Sequence, residues 1–510
     1  MLSNPVIYAT ASTFSRVCYD LSMPPRNHYR RNYRQNNNRG RNYRRGNYRG
    51  GNHRRHEFRN NDPTAEIERW LPELRLSKRK IVWLVDPLSA IPGEGLLPSR
   101  TWALARALVA AGHDVIWWTS SYSHARCIAR TPPLQIGDEE GFSVQLVATR
   151  GYNSYFSLGR FSSHRKFAKE FEAQALEGLA SGYLKRPDIL IATLPPPSTV
   201  DTAARLAQKV DAELLVDVDE WWPEPLRPMV PGPKWFATLL ASITFPIIAR
   251  RQRDSLQSVD AILAGSETIK DAVLKTVTSP PPLEVIPTGA YLQDYSRPPH
   301  FIDHVENPRH ENFQSTESSQ HSFAIAVAGD IDQKSDIYLL TDLARSLSEK
   351  NVDVIFHVVG GGRWMPRLET AAPLLTGSCQ IQCHGRVDRS RYVGLLSDCQ
   401  AGLVLPGLLN RFPLPVEASD YAAAGLVLFL TQATELADLV IQADAGMVTD
   451  STADTIADVI GPLTTDPRQV ARLRQSARKL AEVFLDREKL AAKAVTWLES
   501  LAEVDHVDSL

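Results

Sequence analysis

The 510-residue chain lacks any apolar run of the roughly 18 to 20 residues that crosses a bilayer, and its first residues lack the apolar core of a secretory signal. The expectation is a cytoplasmic protein. Cysteine is scarce: Cys18, Cys127, Cys379, Cys383 and Cys399 are odd in number and include no CxxC pair, which excludes a disulfide framework and reads as reduced thiols. Cys379, Cys383 and His384 share a neighbourhood, but one such group lacks the repeated ligand spacing of a structural zinc site, so no metal is expected. GxGxxG and the Walker pattern are missing too, which argues against dinucleotide and ATP-type cradles.

Residues 26–62 hold almost no aliphatic side chain. Text such as "RNYRRGNYRGGNHRR" cannot bury enough apolar surface to offset its ordering entropy, so residues 1–75 are expected to be a disordered, basic, low-complexity tail. Thirteen arginines against three carboxylates give residues 1–62 a charge of +10, which leaves −11 for the rest of a chain whose total is −1. Arginine interleaved with tyrosine suits RNA or an anionic surface through phosphate pairing and base stacking. The competing reading is a low-complexity extension without a partner.

The rest of the chain is patterned. "KIVWLVDP" is a short apolar run, followed by a glycine loop, a helical stretch in which Trp102, Ala105, Leu108 and Val109 recur at helical spacing, and a second apolar run. This is the unit of a doubly wound parallel sheet. The alternation continues to residue 295, breaks over a polar stretch at 296–321, and restarts with "SFAIAVAGDI". The organisation read from this is an N-terminal Rossmann-like domain over 78–295, a linker over 296–321, and a C-terminal Rossmann-like domain over 322–465. A C-terminal helix over 466–510 follows, with Leu473, Leu480, Val483 and Phe484 on one face, packing back toward the first domain. Two α/β domains imply a cleft between them.

Ligands of open parallel sheets sit beyond the carboxyl ends of the strands. Gly93 and Gly95 in "PGEG", Gly329 in "VAGDI", and Gly361 and Gly362 in "VVGGGR" all lie at such places, and Arg363 follows directly. Glycine lets backbone approach a ligand, and a helix N-terminus favours an anion, so these loops suit a diphosphate. A plain turn is the alternative for each taken singly.

On "PGEG…TWALARALVAAGHDV", "PDILIATLPPP", "VDVDEWWPE", "VAGDIDQKSDIYLL" and "PVEASDYAAAGLVLFLT" the chain resembles, from about residue 80 to 501, the retaining family 4 glycosyltransferases of the GT-B fold, including the fucosamine-transferase type that builds O-antigen and capsule. The resemblance implies transfer of a sugar from a nucleoside diphosphate such as a UDP- or GDP-sugar to a glycan or lipid-linked acceptor, without a cofactor or a required metal. Carried over by position, the basic pair of that family falls on Asp330 and Lys334, its paired glutamates on Phe412 and Asp420, and a further lysine on Glu417. Asp420 keeps a carboxylate for ribose hydroxyls, while Asp330 and Glu417 put negative charge where diphosphate is expected. Arg363, Arg386 and Arg411 are the candidates to compensate it, with Lys334 clamping the leaving group. Asp219 and Glu220 sit where relatives face the sugar and are the candidates to orient or deprotonate the acceptor. "KWFATLLASITFPIIARRQR", 234–253, joins an apolar stretch to cations and reads either as a peripheral contact with the inner face of a membrane or as a buried helix. Two other classes stay open: a catalytically weakened GT-B scaffold, and an RNA-tethered protein acting through its tail.

Overall fold

The computed structural model describes residues 79–507 except 95, 131–139, 153–156, 231, 296–322, 411 and 433. The basic tail and its RNA reading, together with Gly95 and Arg411, lie outside the described residues.

The first sheet is built from β1 (Ile81–Val85), β2 (Asp114–Ser120), β5 (Ser143–Val147), β6 (Ile189–Leu194), β7 (Glu213–Val218), β8 (Ala261–Ala264) and β9 (Leu283–Val285) in the order β5-β2-β1-β6-β7-β8-β9. A two-stranded hairpin, β3 (Tyr122–Ser123) and β4 (Ile128–Ala129), stands apart from it. All pairings of the seven-stranded sheet are parallel, for example Val82↔Val115 and Val82↔Ile189. Strands buried on both faces need continuous apolar runs; β1 has four fully buried residues in five, and β8 is buried throughout. The covering helices are α1 (Arg100–Ala110), α2 (Leu158–Ala180), α3 (Pro197–Val210), α4 (Lys234–Ser255) and α5 (Glu267–Thr276). α2 begins at Leu158 because the Ser157 hydroxyl accepts from the Arg160 amide, 3.1 Å, and closes its first turn.

The second sheet, in the order β12-β11-β10-β13-β14-β15, comprises β10 (Phe323–Ala328), β11 (Val354–Val359), β12 (Gln380–Gly385), β13 (Ala401–Val404), β14 (Val427–Leu430) and β15 (Gly446–Val448), again wholly parallel. Its helices are α6 (Lys334–Glu349), α7 (Met365–Ala371), α8 (Arg389–Ser397), α9 (Pro406–Leu409), α10 (Val416–Ala423), α11 (Glu435–Gln442) and α12 (Ala453–Thr464). The chain order reverses between β1 and β6 in one sheet and between β10 and β13 in the other. Those two switch points, at the carboxyl ends of the strands, are where such folds receive ligands.

The expected single helix after 466 is two. α13 (Pro467–Phe484) packs Ala477, Leu480 and Ala481 against Ala418, Tyr421 and Ala422 of α10. The chain then breaks at Leu485 and Asp486, bridges to Ala290, and continues as α14 (Arg487–Val507), whose Ala494, Val495 and Leu498 join Leu104 and Leu108 of α1 in one core. Leu473 and Leu480 are buried as the periodicity demands, but Val483 and Phe484 are 39% and 53% exposed, because α13 ends where the chain leaves the second domain for the first. No helix among the described residues is long and apolar enough to cross a membrane.

Candidate functional site

Three loops meet above the second sheet. Gly329 donates its amide to Val359 O (3.0 Å), Ile331 to Gly361 O (2.9 Å), and Gly360 to Gly385 O (2.9 Å). A side chain at Gly360 would collide with the carbonyl of Gly329, and one at Gly362 would come within 2.5 Å of the Ile331 nitrogen. Both glycines have positive φ, +148° and +102°, so the run is needed for loop to touch loop. The Gly361 amide donates to Asp330 Oδ1 and the Arg363 amide to Asp332 Oδ1, each at 3.0 Å. In this structure those two amides of "GGGR" therefore serve carboxylates.

The same packing resolves the charge problem at Asp330. Arg386 Nη2 donates to both of its oxygens, at 2.8 and 2.6 Å, so the acidic residue in the expected arginine position is neutralised from β12. Glu417, in the first turn of α10, brings its Oε1 to 3.3 Å from where a Gly329 side chain would stand. Lys334 opens α6, exposed, with its ammonium 5.0 Å from the centre of the Tyr338 ring. Arg363 is exposed beside the same loop. In the first turn of α6 lies Asp336, which the sequence reading passed over. Its buried carboxylate accepts from the Gly407 amide (3.2 Å) and ties α6 to α9, and burial pushes its pKa up to about 6.

Asp420, expected to meet ribose, is only 1% exposed. Arg389 Nη1 donates to its Oδ2 (3.0 Å) and Nη2 to its Oδ1 (3.1 Å), a bidentate pair that occupies the carboxylate. Arg389 Nε donates to Asp294 Oδ2 (2.9 Å), and its guanidinium lies 5.4 and 5.3 Å from the Tyr295 and Tyr392 ring centres. The sequence reading missed Arg389. The signal available was its place at the start of a helix capped by Asp388, whose carboxylate accepts from the Arg391 amide at 2.9 Å.

In the first domain Asp219 follows β7 directly, its amide held by Leu194 O at 3.1 Å. Its side chain opens to the cleft and accepts from Thr288 Oγ1 at 3.2 Å. Enclosure by protein, opposed by Arg100 and reinforced by the charges of Asp217 and Glu220, pushes its pKa up to about 6. Arg100 itself is spent on Asp217, with Nε at 2.9 and 2.8 Å from the two oxygens. Glu220 accepts from the Trp222 indole, 2.9 Å, and serves the loop. Gly93 has φ +84° in an exposed turn; Arg130 Nε and Nη2 donate to Glu94 at 3.0 and 3.1 Å and tie that loop to the domain.

Arg487, the first residue of α14, ties that helix to the first domain. It is 2% exposed and donates to Thr288 O (2.9 Å), Gly289 O (2.7 Å) and Pro98 O. It feels the charges of both Asp420 and Asp219, although burial holds its own pKa below the usual value. Asp420 and Arg389 are thus paired directly, while Asp219 is held by Thr288 in the first domain. Glu220 and Gly93 belong to the first-domain loops beside them, and Lys334, Gly361, Gly362 and Arg363 to the second-domain loops. Besides Arg389–Asp294, the domains are linked by Glu435 at the start of α11, whose oxygens accept from the amides of Glu267 and Thr268, each at 2.9 Å, at the N-terminus of α5. Cys379 and Cys383 form no joint site with His384: Cys379 donates to Val352 O, 3.0 Å, and His384 pairs with His357, 3.0 Å.

Two doubly wound parallel sheets in series are the arrangement of the GT-B class of fold. Two family models fit in series: "Glycosyl transferase 4-like domain" over residues 98–289 and "Glycosyl transferases group 1" over 308–480. The chain belongs to the family 4 glycosyltransferases. Among curated proteins it is similar to the MMP alpha-(1->4)-mannosyltransferase of Mycolicibacterium hassiacum, 22% identical over 298 residues, a match that covers 57% of this chain and 62% of the length of that relative. Among solved structures, sucrose-phosphate synthase from Thermosynechococcus elongatus superposes with a TM-score of 0.61 at 13% identity, covering 84% of this chain and all of the other. HepE from Anabaena, in complex with UDP and glucose, gives 0.55 at 13% identity, over 83% of this chain and all of that one. At such identities the likeness is one of fold.

Proposed function

We propose that this protein transfers a sugar from a nucleoside diphosphate to a glycan or lipid-linked acceptor, with retention, in cell-surface polysaccharide synthesis. Membership of the glycosyltransferase family supports the reaction class, and the structurally similar HepE was solved with UDP and with UDP-glucose. The observation that carries the reading is Asp219: an exposed carboxylate directly after β7, accepting from Thr288 Oγ1 at 3.2 Å, with a pKa of about 6. At neutral pH such a group is ionised yet basic enough to accept the hydrogen bond, or the proton, of an acceptor hydroxyl. Charge building on the departing diphosphate would be met by Lys334 and Arg363, which are exposed at the mouth of the second-domain loops. The clamp then needs no metal. Domain closure through Glu435 would keep water from the donor.

A second reading is favoured by the site's acidity. Glu417 faces Gly329, and Asp420 is closed by Arg389, so the fold could serve as a partner protein with weakened chemistry. Calorimetric titration of the full chain with UDP, GDP and their sugars, with EDTA present, separates the two. Micromolar binding of a nucleotide sugar, weakened at least tenfold in Lys334→Ala or Arg363→Ala, supports transfer. Absence of binding to every donor tried would leave the scaffold reading and sink the clamp.

A further inference from the structure

We propose that one face of α4 is a membrane-surface anchor, lying in the headgroup layer of an anionic bilayer. α4 packs Ala241 and Phe245, with Leu240 and Ile248 half-buried, against Trp222, Leu226 and Val230. Its other face is uncovered: Trp235 is 70% exposed, Phe236 41%, Leu239 52%, Ile243 58% and Ile247 57%. At about 100° per residue, Phe236, Leu239, Ile243 and Ile247 fall in a stripe roughly 80° wide, with Trp235 on its flank. Single exposed apolar residues are ordinary on protein surfaces, and among the described residues no other element carries more than two of them. Five on one helix face form a contiguous patch, which marks an interaction surface.

Charge selects the occupant. Arg250 continues the same stripe beyond Ile247, Arg251 and Arg253 flank it on either side, and Asp254 is the one carboxylate of α4. Asp254 lies 3.5 Å from Arg250 and 3.2 Å from Arg253, and Arg251 is exposed. An apolar stripe ending in a cation cluster matches acyl chains beneath anionic headgroups, whereas a second copy of the helix would bring apolar and cationic ends into poorly matched contact. The apolar part runs from Trp235 to Ile247, roughly 18 Å of helix, too short to cross a bilayer and suited to lying along it. Trp235 against Phe236, ring centres 5.8 Å apart, supplies the aromatic pair favoured at the membrane–water boundary. The buried face of α4 rests on Trp222, which also bonds Glu220 next to Asp219. On the preceding functional reading, the anchor would therefore place a lipid-borne acceptor on the Asp219 side of the cleft.

The test is flotation of the full chain with phosphatidylglycerol–phosphatidylcholine vesicles and with pure phosphatidylcholine, without nucleotide or sugar, so that its outcome is independent of donor binding. The expected result is binding to the anionic vesicles alone. It should weaken more than tenfold in Leu239→Ser/Ile243→Ser/Ile247→Ser, and about 30-fold in Arg250→Ser/Arg251→Ser, both with unchanged melting temperature. Because the tail is also basic, depth is read separately: lipids brominated near the headgroup should quench tryptophan fluorescence in the wild type and less in Trp235→Phe. Unaltered vesicle binding in the triple variant would overturn the proposal. So would equal quenching in Trp235→Phe, or a wild-type dimer that the triple variant converts to monomer.

Discussion

Replacing Arg389 by methionine removes the guanidinium from Asp420 while keeping most of the side-chain volume. Asp420 has 2% of its side chain exposed and Arg389 15%, so the carboxylate cannot regain water without opening α10. Breaking a buried pair from one side costs about 3–5 kcal/mol. Asp420→Leu alone should cost less, about 1–3 kcal/mol, because Arg389 keeps Asp294 as a partner and that residue is 28% exposed. With both changes together the buried charge is gone from each side, and stability should return to within about 2 kcal/mol of the wild type. The assay is native-state hydrogen exchange at the α10 amides, read with urea denaturation of the four proteins. A cost below about 1 kcal/mol for Arg389→Met, or single costs that simply add in the double variant, would refute the assignment of Asp420 to a structural pair. A ribose-binding Asp420 would then regain ground, with UDP affinity as the follow-up measurement.

Asp219 gives a pH signature. Its folded-state pKa is raised to about 6, so it is ionised and competent above that value, and kcat/KM should fall about tenfold per pH unit below it. Asp219→Asn should flatten that limb. A raised acid pKa also means that ionisation works against folding above about pH 6 and not below the ordinary carboxyl range, so Asp219→Asn should raise Tm at pH 8 and leave it unchanged near pH 4. Gly360→Ala places a side chain against the Gly329 carbonyl at φ +148° and should destabilise by about 3 kcal/mol or more, measured as a lowered denaturation midpoint. Glu435→Ala removes the acceptor for the Glu267 and Thr268 amides; it should cost about 1 kcal/mol and enlarge the radius of gyration in solution scattering as the domains part.

The sheets were legible because the central strands are short apolar runs, as in "KIVWLVDP" and "DILIATLP". β15 and α11 were not: Gly446–Val448 is too short to show a period, and Glu435–Gln442 is only 8 residues long, although Thr434 followed by Glu435 and Asp438 is a start signal. The site was legible in its acidic members and in Arg386, named as a cation to offset Asp330, but not in Arg389. Asp420 and Asp219 could be singled out along the chain, but what decides their chemistry comes from a distance. Arg389 reaches Asp420 across 31 positions, Thr288 reaches Asp219 across 69, and Arg386 reaches Asp330 across 56. Such pairings follow from strand order. The room made by Gly360 and Gly362 of "VVGGGR" is taken by the backbone of Gly329 and Ile331, and that made by Gly361 by the Arg386 side chain.

α14 has a consequence for the order of events during synthesis. Leu104 and Leu108, near the start of the folded region, share their core with Ala494, Val495 and Leu498, so the early half of the chain stays unfinished on one side until almost four hundred further residues have left the ribosome. A nascent chain of this protein therefore carries an open greasy flank on its first domain for most of its translation, and chaperone engagement should end only when that late helix closes it.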